Sequence, residues 1–84
     1  MEILIKFAPS AFKHGVTEAN IRYAILNWMY DDILENDPDK YLLIGFDDNA
    51  NLLEIMYNVV DGQNVRVFHA MKCRIAFLSL LNKI

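Results

Sequence analysis

L-L-E-I-M-Y-N-V-V-D-G-Q-N-V-R-V-F-H, Leu52 to His69, is two alternating segments around a tight turn. In the first, Leu53, Ile55, Tyr57 and Val59 fall on one side and Leu52, Glu54, Met56 and Asn58 on the other, which is the period of a β-strand. Asp61-Gly62 is a dipeptide that tight hairpins favour, because such turns need a positive φ that glycine adopts without strain. V-R-V-F-H then reads as the antiparallel partner, with Val65, Val67 and His69 on one face and Arg66 and Phe68 on the other. A hairpin of this kind has to be covered, and the remaining chain must supply the cover.

Upstream, Y-L-L-I-G-F (Tyr41 to Phe46) is a continuous apolar run, as in a strand covered on both sides, and Gly45 marks a bulge or a close approach of backbone. D-D-N-A-N joins it to the hairpin as a turn. E-I-L-I-K-F (Glu2 to Phe7) alternates and must end before Pro9, which has no N–H to give to a ladder. Ile21, Ala24, Ile25, Trp28 and Met29 line one stripe of a helix beginning at residue 17 or 18, with Thr17 as cap and Glu18 in the first turn. That helix must stop before Pro38, and the acids of D-D-I-L-E-N-D-P-D oppose its dipole, so an exposed loop is expected from about Leu34. The acidic turn is either a solvated one or a face that docks a basic partner. After Ala70, M-K-C-R-I-A-F-L-S-L-L-N-K-I predicts a second helix, apolar over a broad arc. The order strand, helix, three-stranded antiparallel meander, helix predicts one α+β domain over residues 1–84, with helices layered on a sheet.

Composition agrees with a folded domain that holds one core: 84 residues, 55% of them hydrophobic, with three glycines and two prolines. No apolar run approaches the roughly 18 residues of a membrane span. M-E-I-L-I-K is too short and too charged for a secretory signal. Cys73 is the only cysteine and has no intramolecular partner, which fits a reducing compartment. A cytoplasmic protein without a membrane partner is expected.

Charge is uneven beneath a net value of -3. Seven of the eleven acids lie between Asp31 and Asp48, whereas none follows Asp61, and the last third carries Arg66, Lys72, Arg74 and Lys83. Potentials act locally at physiological salt, so such a patch can hold a polyanion even though the overall sign is wrong for a nucleic-acid domain. In R-V-F-H-A-M-K-C-R (Arg66 to Arg74), His69 is either a half-buried histidine bonded to a backbone carbonyl or a proton carrier. Lys72 and Arg74 open the expected helix beside it, and arginine can grip a phosphate by two bonds. Arg66 faces away from His69 on an ideal strand, so twist or a bulge near the strand end is required to unite them. K-H-G-V (Lys13 to Val16) is a second cluster, in which Gly15 can close a turn before the Thr17 cap and His14 is an exposed loop histidine or a second proton carrier. His69 and Cys73 are four apart, a helical ligand spacing that His14 could extend, yet the paired cysteines or His-Glu-x-x-His helix usual for zinc are absent. No metal and no cofactor is expected.

K-H-G-V-T-E-A-N-I, L-I-G-F-D-D-N-A-N-L-L-E-I-M-Y and N-V-R-V-F-H-A-M-K-C-R follow one another over most of the chain. In that order they resemble the BrnT group of small bacterial toxins. The resemblance implies a RelE-like fold and a metal-independent endoribonuclease of a type II toxin–antitoxin module, neutralised by a cognate antitoxin. It further implies that basic side chains bind the RNA phosphate and assist attack by the 2′-hydroxyl. By position, Lys13 and His14 match the family's K-H-G segment, Arg66 its strand arginine, and Lys72 with Arg74 the basic start of its last helix. His69 is not inherited from the pattern and rests on its own chemistry. Catalytic roles are thus expected for His69, Arg74 and His14, and RNA-binding roles for Arg66, Lys72 and Lys13. The family's last helix is rich in charge, whereas here I-A-F-L-S-L-L is apolar. That departure favours an alternative, a non-catalytic α+β interaction module of the same fold that pairs with another chain or with itself.

Overall fold

Asn27 decides where the first helix ends. Its side-chain amide and its backbone N–H both donate to the carbonyl of Tyr23, which closes α1 (Glu18–Leu26) at its C-terminus. At the other end the Thr17 hydroxyl accepts from the N–H of Asn20 at 3.2 Å, and Glu18 pairs with Arg22 one turn on. The expected start therefore holds, but Trp28 and Met29 leave the helix. They open β2 (Trp28–Leu34) instead.

In this computed structural model residues 4–34 and 37–83 are described. Glu2 and Ile3 of the expected first strand, Glu35 of the acidic stretch and Ile84 lie outside them. The first strand is β1 (Leu4–Phe7), followed by a 3₁₀ turn at Pro9–Phe12. The described residues of the acidic segment, 31–34 and 37–39, are not loop: β2 and β3 (Asp37–Phe46) form an antiparallel pair. Ile33 pairs with Tyr41 and Leu34 with Asp37, so Pro38 falls in the irregular stretch between, where no ladder hydrogen bond is demanded of it. β4 (Leu52–Asp61) and β5 (Asn64–Lys72) are the expected hairpin, with Gly62 at φ +39° in its turn. The antiparallel meander therefore has four strands rather than three. β1 adds to it in parallel along β5, giving the order β1-β5-β4-β3-β2.

β5 also runs further than its sequence indicates. Ala70, Met71 and Lys72 stay paired with Ile55, Glu54 and Leu53, so the expected long helix shrinks to α2 (Ile75–Leu78) and 3₁₀ turns over Ser79–Lys83. Lys72 closes a strand, and Arg74 occupies the N-cap of α2.

One face of the sheet packs on α1 and the first 3₁₀ turn through Ala11, Ile21, Ala24, Leu43, Leu53, Ile55, Val67 and Ala70. Strand alternation sends Leu42 and Ile44 to the other face, and both are buried there. The C-terminal 3₁₀ turns fold back against β2 to cover that side. The start of the C-terminal segment thus lies on the face away from α1, where the Arg74 N–H and guanidinium meet Glu54.

Candidate catalytic site

The second covered face explains a residue that alternation alone misplaces. Glu54 is the third residue of β4, on the side of Leu42 and Ile44, and is 0% exposed. A buried carboxylate is costly unless it is paired and fully hydrogen-bonded. This one is. Its Oε1 accepts from the backbone N–H of Arg74 at 2.8 Å and from Arg74 Nε at 3.0 Å, and its Oε2 accepts from Arg74 Nη2 at 2.7 Å. Oε2 also lies 2.9 Å from His69 Nε2. Burial pushes the Glu54 carboxyl up, but the bonds from Arg74 and His69, together with the guanidinium charge, hold it below the ordinary carboxylate range.

The ionised state of Glu54 settles the histidine's tautomer. A carboxylate only accepts, so Nε2 of His69 must carry a proton, and Nδ1 is the nitrogen left for chemistry. Its ring meets that of His14 edge-on, with centroids 5.5 Å apart. His14 arrives from the loop beyond the first 3₁₀ turn, which is fastened to β5 by Ser10 Oγ donating to the carbonyl of Phe68 at 2.6 Å. Gly15, at φ +82°, lets the loop reverse after His14.

A bulge sets which side chains share this face. Met56 pairs with His69 while Tyr57 pairs with Val67, so Phe68 is the extra residue of β5. The shift puts Val67 and Ala70 both into the core and turns His69 to the opposite face, where ideal alternation had kept it with Val67. Arg66, opposite Asn58 and Lys6, lands on the His69 face. Lys40 stands over the Phe68 ring at 5.5 Å. An open surface of Lys6, Lys40, Arg66 and Phe68 therefore leads along the strands to His69.

The expected residues are only partly brought together. His69, His14 and Arg74 converge, with Arg74 spending Nε and Nη2 on Glu54 while its side chain stays half exposed. Lys72 turns to the α1 side, where with His14, Gly15, Asn20 and Asp47 it lines a pocket of about 350 Å³. Asp47 there is buried, accepts from the N–H groups of Asn49 and Asn51, and holds the turn before β4. Lys13 is exposed beside His14. The His69–Cys73 spacing is not helical, because His69 lies within β5, and the Cys73 thiol donates to the carbonyl of Arg74. Among the described residues no three His, Cys, Asp or Glu side chains are grouped to hold a metal. Glu54 escaped the sequence reading, although an acid inside L-L-E-I-M, next to a strand covered on both sides, is the signal that points to it.

Stability follows from the same carboxylates. Glu54 has a folded pKa lowered from its ordinary value, so its contribution is complete above the unfolded value, roughly pH 4.3, and is lost as pH falls through the lower folded value. Asp47 has the same sign: burial raises its pKa, but the Asn51 and Asn49 bonds and the charge of Lys72 outweigh that. Asp31 has the opposite sign and offsets part of the loss. Urea titrations across pH 7 to 3 will show the midpoint falling below about pH 4.5, and Glu54→Gln will flatten that fall; an unchanged acid slope in the variant counts against the network.

No protein-family description, curated protein or solved structure matches this chain.

Proposed function

We propose that the chain is the RNA-cleaving toxin of a toxin–antitoxin pair, with a RelE-like fold and a chemistry carried by side chains alone. The observation that supports this most is the buried Glu54 holding His69 at 2.9 Å with His14 facing it. In this reading His69 Nδ1 takes the proton of an RNA 2′-hydroxyl and the freed oxygen attacks the adjacent phosphorus. The bond to the 5′-oxygen breaks, and protonated His14 gives that oxygen its proton. The products are a 2′,3′-cyclic phosphate and a 5′-hydroxyl. Glu54 stabilises the imidazolium formed on His69, as a carboxylate behind a catalytic histidine does. Arg66 and the outer Nη1 of Arg74 on the His69 face, with Lys13 beside His14, offset charge on the phosphate, whereas Lys72, on the α1 side, is left out of this reaction. Arg74 serves first as the brace of Glu54.

Incubation of the purified protein with a long messenger RNA in EDTA tests this. Cleavage leaving cyclic-phosphate ends is expected, falling on the order of a hundredfold or more in His69→Ala; no cleavage above that variant overturns the reading. The cognate antitoxin is proposed on the resemblance, and a short DNA-binding protein encoded beside this one is what it predicts.

Exposed apolar side chains favour a second reading, an interaction module without catalysis. Leu26, Trp28 and Ile75 are 80%, 56% and 85% exposed, and a domain of this size gains by covering them. Sedimentation at micromolar concentration showing a lone, stable monomer counts against it.

A further inference from the structure

We propose that the cleft between α1 and β2 is a docking site for a lysine or arginine side chain presented by an extended segment of a partner protein. The cleft, of about 270 Å³, is walled by Ile25, Trp28, Leu43, Tyr57 and Val65 around one carboxylate, Asp31. That is below the roughly 300–1,000 Å³ of small-molecule sites, and it suits an aliphatic stem with a charged tip. Tyr57 donates to Asp31 Oδ1 at 2.6 Å and its ring stacks on Tyr41 at 5.1 Å. The carboxylate is therefore held in place with Oδ2 outside that bond.

Among the described residues no cation pairs with Asp31. Burial raises its pKa, the Tyr57 bond works against that, and neighbouring Asp32 raises it again. A positive charge is what the cleft lacks, and aromatic walls accept one on their faces. Among the described residues β2 is the last strand of the sheet, and no strand lies along its outer edge. An extended partner segment can pair there while one basic side chain turns into the cleft. The surface is separate from His69 and does not depend on RNA cleavage.

Trp28 is the only tryptophan, so its emission reports directly on the cleft. The full chain is titrated with a short valine–threonine peptide carrying one central arginine, and with the same peptide carrying neutral citrulline. A saturable change in emission is expected with the arginine peptide, with binding about tenfold or more weaker for citrulline. Asp31→Asn will make the two peptides equal. Equal binding by the wild-type chain, or no saturable change, overturns the proposal, and this comparison needs no variant to fold. If n-butylguanidinium alone binds as tightly as the peptide, the site takes a free small cation and the partner-segment assignment falls.

Discussion

If the chain cleaves RNA as proposed, Glu54→Gln will lower that turnover on the order of a hundredfold or more while leaving KM nearly unchanged. Glutamine keeps the shape of the side chain and one acceptor, so Arg74 retains part of its grip. What is lost is the charge that stabilises the imidazolium and the pure acceptor that fixes the His69 tautomer. In the proposed reaction the residue positions another group and touches no RNA, hence the split between turnover and KM. Single-turnover cleavage below the melting temperature of the variant separates this from unfolding. Full activity in Glu54→Gln removes the carboxylate from the mechanism, whereas Glu54→Ala will chiefly destabilise, by about 2–3 kcal/mol, because it leaves Arg74 and His69 without their shared acceptor. That figure sits below the roughly 3–5 kcal/mol of a fully buried broken pair, since the Arg74 side chain is half exposed and can return to water.

Gly45→Ala will cost stability without touching the site. A Cβ built on Gly45 meets the carbonyl oxygen of Ala24 at 2.4 Å and the Cα of Trp28 at 3.2 Å. Both are backbone, so neither can swing aside. The last turn of α1 has to lift off β3, and Ala24, buried in the core, lifts with it. Overpacking of this kind costs about 2–3 kcal/mol, which for a domain of this size lowers the melting temperature by roughly 10–20 °C. A thermal melt by circular dichroism decides it, and a melting temperature within a few degrees of wild type would mean that the helix is less tightly seated than its geometry shows.

Gly45 was legible in the sequence as a point of close approach, and so were the hairpin of Leu52 to His69, the Thr17 cap and the apolar run of β3. Each rests on local chemistry: a period, a turn dipeptide or a capping hydroxyl. β2 was not legible, because Ile21, Ala24, Ile25, Trp28 and Met29 satisfy a helical stripe and the true stop is the side chain of Asn27, a weak signal. β5 reads short in the sequence because M-K-C-R-I-A-F-L-S-L-L has helical spacing, while what keeps Ala70 to Lys72 extended is the neighbouring strand. Tertiary pairing overrode local period in both cases. At the site, residue chemistry and the resemblance point to His69, His14 and Arg74. They do not point to Glu54, because its face is covered by chain that returns from the C-terminal segment. The bulge at Phe68 carries no glycine or proline; its trace is the break in parity between Val67 and Ala70.

The bond from Ser10 to Phe68 spans 58 residues of sequence, and β1 joins β5 across a similar separation. Contacts so distant surrender chain entropy before they return any energy, so they form late. The strands of the meander can assemble by neighbouring hairpins, and that alone sets Glu54 beside His69 and Arg74. His14 reaches the same place only when the first segment of the chain closes onto β5. The facing pair of imidazoles is therefore complete only when both the meander and that closure are in place. On the proposed reading, competence therefore belongs to the closed chain and not to the meander alone.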